Sequence, residues 1–265
     1  MNTDLRKEYD EKGYVIVRDA IDAELAGETA AHVHWLAERN PDIRPEKFGH
    51  HMLVSDPFMH RLVSDERLVD IVEQFLGTNI AMWAAHYIAK PPRHGQRVLW
   101  HQDGSYWPLE PMEVTTIWLA ATESTRENGC MRLLPGTQNN RLLSRREMID
   151  VKDGKNVLES GIHPSQIDDS QVIDLELSPG DVSVHNPRII HSSESNTSDK
   201  WRIGLTLRYI PTSTRVMRAN HPSILVRGKP DAANDNEYAE SPVYNPAMHM
   251  PFRGHEAWGA VEAHS

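Results

Sequence analysis

One cysteine, Cys130, is present in 265 residues, so the chain can build no internal disulfide, no cysteine-based zinc site and no iron–sulfur cluster. No run approaches the roughly 18–20 apolar residues that cross a bilayer. The opening Met1 to Glu8 carries no apolar stretch of the secretory type. These absences set the expectation of a reduced, cytoplasmic protein without a membrane partner. Basic charge is scarce as well: 28 Lys and Arg against 38 Asp and Glu give a formal net charge of -10. Phosphate neutralisation needs clustered cations, so nucleic acid is not an expected partner. Repeats, low-complexity tracts and linker-like segments are missing too. With 39% apolar and 25% charged residues the composition is that of an ordinary globular chain. A single domain over residues 1–265 is expected, because β-barrels of roughly this length commonly form one unit.

What is present changes character near residue 79. Before it, apolar residues recur with helical spacing over residues 19–39 (Ile21, Leu25, Val33, Leu36) and 65–76 (Leu68, Ile71, Val72, Phe75). Thr29 interrupts the first of these stripes. A short polar helix over 3–12 ends at Gly13 and leads into a β-branched strand, Tyr14-Val15-Ile16-Val17. From Asn79 the period becomes two, with candidate strands at 80–88, 98–103, 114–121, 130–134, 171–177, 181–185 and 201–210. No long helix separates them, so parallel βαβ units are not expected. The fold class is mainly β with flanking helices: a jelly roll, cupin-like, with a helical N-terminal part to about 78 and a barrel from 79 to 211. Residues 212–265 are expected to wrap it as coil and short helix. The polar stretch 137–170 is long for a plain connection and is a candidate cover for a site.

The chemistry is concentrated in a few short segments. In Trp100-His101-Gln102-Asp103-Gly104, an extended backbone sends His101 and Asp103 to one side. A second imidazole, from His191, would complete two His and one carboxylate on a single face, the donor set of non-haem Fe(II) oxygenases. In the strand beginning Trp201-Arg202-Ile203-Gly204, odd positions are apolar and even positions polar, as in the wall of a polar barrel. The polar segment from Ser192 to Trp201 reads as a hairpin connection, which would set His191 opposite Arg202. A 2-oxo dicarboxylate bound to iron needs a planar, permanently charged fork for its far carboxylate, and Arg202 supplies one. By alternation Ser193 shares the His191 face, while Thr116 and Trp118 could wall the same cosubstrate.

His101-Gln102-Asp103, Trp118-Leu119-Ala120, Glu127-Asn128-Gly129-Cys130, Leu134-Pro135-Gly136-Thr137 and His191-Ser192-Ser193…Asn196-Thr197-Ser198…Arg202 together resemble the phytanoyl-CoA dioxygenase family. So do Gly13-Tyr14-Val15-Ile16-Val17 and Lys90-Pro91-Pro92, and the likeness runs from about residue 8 to 211. Thr137 stands where the family often has Ser, and Ser192 where a Gly commonly follows the distal His. The resemblance implies a double-stranded β-helix that binds Fe(II), 2-oxoglutarate and O2 and oxidises an unactivated C–H bond. By position, His101, Asp103 and His191 would be the iron ligands, Arg202 the 2-oxoglutarate anchor, and Ser193 and Trp118 lesser contacts. Halogenating members of the wider group lack the carboxylate, so Asp103 points to a hydroxylase, acting on a small-molecule metabolite with release of succinate and CO2. The rival reading is a zinc hydrolase or isomerase on a cupin-like barrel, which would use the same three ligands but has no need of Arg202.

Other residues have plainer readings. His185 lines the barrel rather than ligating metal, and Arg208 forms an ion pair at the barrel end. His50 and His51 are an exposed pair. Tyr106-Trp107-Pro108 serves equally as pocket wall or as packing. Cys130 is a small buried hydrophobe.

Overall fold

The computed structural model describes residues 4–151 and 154–259. Helix α1 (Leu5–Lys12) is capped by Asp4, whose side chain accepts from the Lys7 N–H, and is closed by Gly13 at φ 83. Strand β1 (Tyr14–Val17) follows. Helix α2 (Ala23–Arg39) starts later than its apolar spacing predicts. Asp19 is in the left-handed region, and its N–H donates to the Asp181 carboxylate, so the chain turns there and Asp22 becomes the cap. Thr29 does not weaken the helix: it is fully buried and its hydroxyl donates to Leu25 O at 2.8 Å. Helices α3 (His50–Leu53), α4 (Pro57–Val63) and α5 (Glu66–Leu76) complete the N-terminal part. The last two are capped by Asp56 and Asp65.

The remaining strands, in chain order, are β2 (Ile80–Lys90), β3 (Val98–His101), β4 (Leu109–Glu110), β5 (Thr115–Ala120), β6 (Met131–Leu134), β7 (Ile149–Asp150), β8 (Ser160–Gly161), β9 (Ile173–Leu175), β10 (Val182–His185), β11 (Ile190–Ser193), β12 (Arg202–Pro211), β13 (Arg215–Val216) and β14 (Ile224–Arg227). A six-stranded sheet has the order β1-β10-β5-β12-β2-β14, and a four-stranded sheet the order β3-β11-β6-β9. The pairing within both is antiparallel, and the two sheets form a jelly roll, the double-stranded β-helix. The odd positions of β12 (Ile203, Leu205, Leu207, Tyr209) pack with Leu25, Val33, Leu62 and Leu68 of the helices in one core. The even positions are thereby turned toward the space between the sheets. No helix among the described residues is long and apolar enough to cross a membrane.

Two expectations are corrected. β11 and β12 are not a hairpin: β11 pairs with β3 and β6, whereas β12 pairs with β2 and β5, so the connecting segment crosses from one sheet to the other. His191 and Arg202 therefore come from opposite walls of the barrel. Asn196 secures the crossing by donating to the carbonyls of Lys90, Pro91 and Lys200. The tail is not coil and short helix alone. β13 pairs with β4, and β14 adds to the open edge of β2, an edge that an apolar run such as Ile224-Leu225-Val226 readily caps. A short 3-10 turn at His255–Trp258 does occur.

Candidate metal and cosubstrate site

His101 ends β3, Gln102 keeps an extended backbone, and Asp103 opens a 3-10 turn, so the two side chains project to the same side. Gln102 points the other way, fully buried, and ties down two neighbouring segments through Arg188 O, Arg141 O and Leu143 N–H. His191 lies directly opposite His101 in the β3–β11 ladder. One ligand atom from each of His101, Asp103 and His191 falls within 4.8 Å of the other two, and all three residues are buried.

The hydrogen bonds of the two imidazoles decide which nitrogens are free. Each Nδ1 faces a backbone carbonyl, Leu99 O at 2.7 Å from His101 and Ile189 O at 3.1 Å from His191. Protonated Nδ1 leaves both Nε2 lone pairs aimed at the Asp103 carboxylate, whose Oδ1 is 3.2 Å from His101 and 3.9 Å from His191. Lone pairs converging on an anionic oxygen repel unless a cation lies among them, and backbone-anchored Nδ1–H is the usual support of a metal-bound His. The donor set therefore fits a divalent transition metal. Burial pushes the Asp103 carboxyl up, but the Arg208 charge and the imidazoles of His101 and His185 outweigh it and hold it well below the usual range. Burial and the neighbouring His101 push His191 well down, so it stays a neutral donor.

The same cavity holds the second half of the expected site. It is lined by the three candidate ligands together with Trp118, Ser193 and Arg202, among others. Arg202 is 1% exposed. Its terminal nitrogens donate to Gly129 O at 2.9 Å and Ile88 O at 2.7 Å, while Nε has no partner. Its guanidinium carbon stands 5.3 Å from the centre of the Trp118 ring. Burial lowers its pKa to about 10, which leaves it charged at neutral pH. No ion pair to Arg202 occurs among the described residues, and the only carboxylate lining the cavity is Asp103. A buried guanidinium with an unused donor and no counter-ion fits a carboxylate ligand. Ser193 Oγ accepts from Lys90 Nζ at 2.8 Å. Thr116 is fully buried but does not line the cavity; it sits one step beyond Trp118, opposite Arg208 rather than toward Arg202.

Short motifs that carry no ligand prove to be brackets for those that do. Gly129, at φ 82, leaves no room for a Cβ beside Glu194 O and presents its carbonyl to Arg202. Asn128 holds that turn through Thr125 N–H and Glu123 O. The Thr137 hydroxyl donates to Leu134 O and accepts from Ile190 N–H, fixing the strand next to His191. From segment 137–170, Val157 donates to the carbonyl of Arg97, just before β3, and Ile162 to that of Trp100 within it, while Ser160 O accepts from the Tyr106 hydroxyl. The segment thus braces the turn that carries Asp103.

His185 lines the cavity 3.8 Å from Asp103 Oδ2, with both ring nitrogens unpaired. Arg208 lines it too and is not simply an ion pair at the barrel end: its Nε is 3.9 Å from Asp103 Oδ2, beside the candidate ligands. His50 is not exposed but 7% accessible, bonded to Pro222 O and stacked on His221; the single turn of α3 rotates it inward while His51 stays outside. Trp107 packs on Trp83 and Tyr106 is 37% exposed. Cys130 is buried. Lys90, Ile88, Val98, Met131 and Thr206 had no sequence signal as site residues beyond strand alternation.

A model of the phytanoyl-CoA dioxygenase family matches residues 9–204. A phytanoyl-CoA dioxygenase domain-containing protein 1 homolog of Dictyostelium discoideum is 29% identical over 185 residues, covering 68% of this chain and 64% of that protein. The phytanoyl-CoA dioxygenase 1 of Oryza sativa subsp. japonica is 30% identical over 169 residues, 63% of this chain and 57% of that one. The chain thus spans less than two thirds of the length of these relatives. Among solved structures, the non-heme monooxygenase ThoJ superposes with a TM-score of 0.76 at 22% identity, over 92% of this chain and 91% of that one. At that identity the likeness speaks for the fold alone. From the motif order, the convergent donor set and the extent of the match, the chain belongs to the phytanoyl-CoA dioxygenase family, oxygenases that use Fe(II), 2-oxoglutarate and O2.

Proposed function

We propose that this chain is an Fe(II)- and 2-oxoglutarate-dependent oxygenase that hydroxylates an unactivated C–H bond of a small-molecule metabolite, yielding succinate and CO2. One observation carries the reading: His101, Asp103 and His191 converge in the same buried cavity that Arg202 enters from the opposite wall. His101, Asp103 and His191 would hold the metal. The ferrous ion and its cosubstrate supply, when bound, an oxidising power that no side chain possesses. Arg202 would anchor the far carboxylate of 2-oxoglutarate, with Trp118 and Ser193 bounding it. Arg202 is preorganised for this, since two backbone carbonyls and an aromatic face fix its plane before any ligand arrives. Asp103 keeps the third ligand position as oxygen, which favours hydroxylation over halogen transfer. The burial of the ligand set excludes water from the reacting bond.

The test is anaerobic addition of Fe(II) and 2-oxoglutarate, followed by the weak visible charge-transfer band of the chelate and, in air, by succinate release. The wild type is expected to show both, and Asp103→Ala to lose both while keeping its circular dichroism. An undiminished band in Asp103→Ala would refute the ligand assignment. Arg202→Lys keeps the charge but loses the fork, and is expected to raise the 2-oxoglutarate requirement strongly.

A further inference from the structure

Three polar side chains stand in a row across the inner face of the large sheet: His185 opposite Thr116 in the β10–β5 ladder, and Thr116 opposite Arg208 in the β5–β12 ladder. Neighbours in such a row are close enough to bond to one another, yet these do not. His185 is 1% exposed with both ring nitrogens unpaired, and the fully buried Thr116 hydroxyl has no partner. Arg208 Nε is buried without a partner, and no side-chain hydrogen bond of this residue occurs among the described residues. Its nearest carboxylate oxygen, Asp103 Oδ2 at 3.9 Å, is beyond hydrogen-bond range, and its guanidinium lies 5.2 Å from the Trp107 ring centre. Buried polar atoms in folded proteins are nearly always paired, so adjacent exceptions call for an absent partner. Charge identifies that partner. Two guanidinium groups line the cavity against one carboxylate, and Asp103 turns its Oδ1 toward His101 and His191.

We propose that Arg208 and His185, the two members of this row that line the cavity, dock an oxyanion of the substrate, a carboxylate or a phosphonate, beside the metal ligands. The inference rests on the oxygenase reading above and narrows its substrate to an anion. Arg208 offers a planar fork and His185 an imidazole N–H, a set that suits two or three oxygens on one centre. Because Arg208 and His185 both flank Asp103, the oxidised carbon lies only a few bonds from the anionic group.

The experiment uses the intact chain loaded anaerobically with Fe(II) and 2-oxoglutarate. It is titrated with hexanoate, hexylphosphonate and the neutral isostere hexanamide while the visible band is followed. At least one anion is expected to saturate the spectral change and hexanamide to leave it flat, and the two anions tell carboxylate from phosphonate. Arg208→Gln is expected to weaken the anion about thirtyfold or more, the loss typical of removing one partner of a buried charge pair, read at Fe(II) and 2-oxoglutarate concentrations that saturate the band of each variant. Hexanamide binding as well as hexanoate, neither anion binding, or unaltered anion affinity in Arg208→Gln would each overturn the proposal; the wild-type comparison stands even if that variant misfolds. Failure of the band to form in the wild type would overturn the oxygenase reading and the inference with it, whereas a normal band without anion preference sinks the inference alone.

Discussion

Lys90 and Arg202 stand directly opposite one another in the β2–β12 ladder, two buried basic side chains of which Arg202 lines the cavity. Burial, and then the Arg202 charge, push the Lys90 ammonium well below its ordinary pKa. It is held by Ser193 Oγ and the Glu194 carbonyl rather than by a carboxylate. Arg202 thus brings to this end of the cavity a positive charge that no carboxylate among the described residues pairs, and a dicarboxylate would supply what is missing.

It follows that 2-oxoglutarate should stabilise the folded chain. With Fe(II) present under anaerobic conditions, a ligand at a hundred times its dissociation constant contributes about 2.7 kcal/mol. In a chain of this size that raises the melting midpoint by about 5–10 °C. Differential scanning fluorimetry reads it directly. Arg202→Ala should abolish the shift; an equal shift in that variant would place the anchor elsewhere.

Gly204 lies beneath the Trp118 ring, and a Cβ there would stand 2.1 Å from Trp118 Cζ2. Gly204→Ala therefore forces the indole off the position from which it faces Arg202. The expected cost is about 1–3 kcal/mol of stability and a roughly tenfold to hundredfold fall in 2-oxoglutarate-dependent turnover. Trp118→Phe should relieve part of the stability loss when combined with Gly204→Ala, giving a non-additive cycle in urea melts. Strict additivity would show that the ring is not what the methyl strikes.

Local pattern made some of this architecture readable and hid the rest. Alternation along β12 was legible because its two faces meet different environments, helices on one side and a polar cavity on the other. His101 and Asp103 were legible because one extended residue, Gln102, lies between them. The placing of His191 against Arg202 was not: alternation gives a strand's faces but not its sheet, and β11 is claimed by β3 and β6, both distant in sequence. Lys90 was lost for a similar reason. A lysine before Pro91-Pro92 reads as the solvated end of a strand, and only the approach of Ser193 and Glu194 shows that it is buried. His50 depended on the rotation of a single helical turn, which has too few residues to show a period.

Gln102 offers a test of how rigidly the two ligands of that motif are set. Gln102→Leu removes the donors to Arg188 O and Arg141 O and the acceptor for Leu143 N–H, all at a fully buried site. Unpaired buried groups of this kind cost about 1–3 kcal/mol each. Supporting contacts around metal ligands change affinity by roughly tenfold to a hundredfold. Calorimetric titration with Fe(II) or Co(II) should show such a loss in Gln102→Leu, and unchanged metal affinity would confine Gln102 to a purely structural role.

Acid should destabilise the chain in two separate steps. Burial, followed by the nearby Arg208 charge, lowers His86 to about 4, and burial lowers His50 to about 4 as well. Each is neutral when folded but takes a proton near 6.5 when unfolded, so between those values the unfolded state binds more protons. Stability from this source is complete above about pH 6.5 and is lost as the pH falls toward about 4. The effect is on the order of 3 kcal/mol for the half-buried His86. Carboxylates act later: Asp22, held down to about 2 by the Leu25 N–H and by Arg67, loses its contribution only as the pH falls from its unfolded value near 3.8. Urea midpoints measured in chelator, to remove metal-linked protons, should therefore be level above about pH 6.5 and fall steadily below it. His86→Gln should flatten that fall without moving the carboxylate step. A midpoint constant down to about pH 4, or a decline untouched in His86→Gln, would show that these imidazoles are not what acid attacks first.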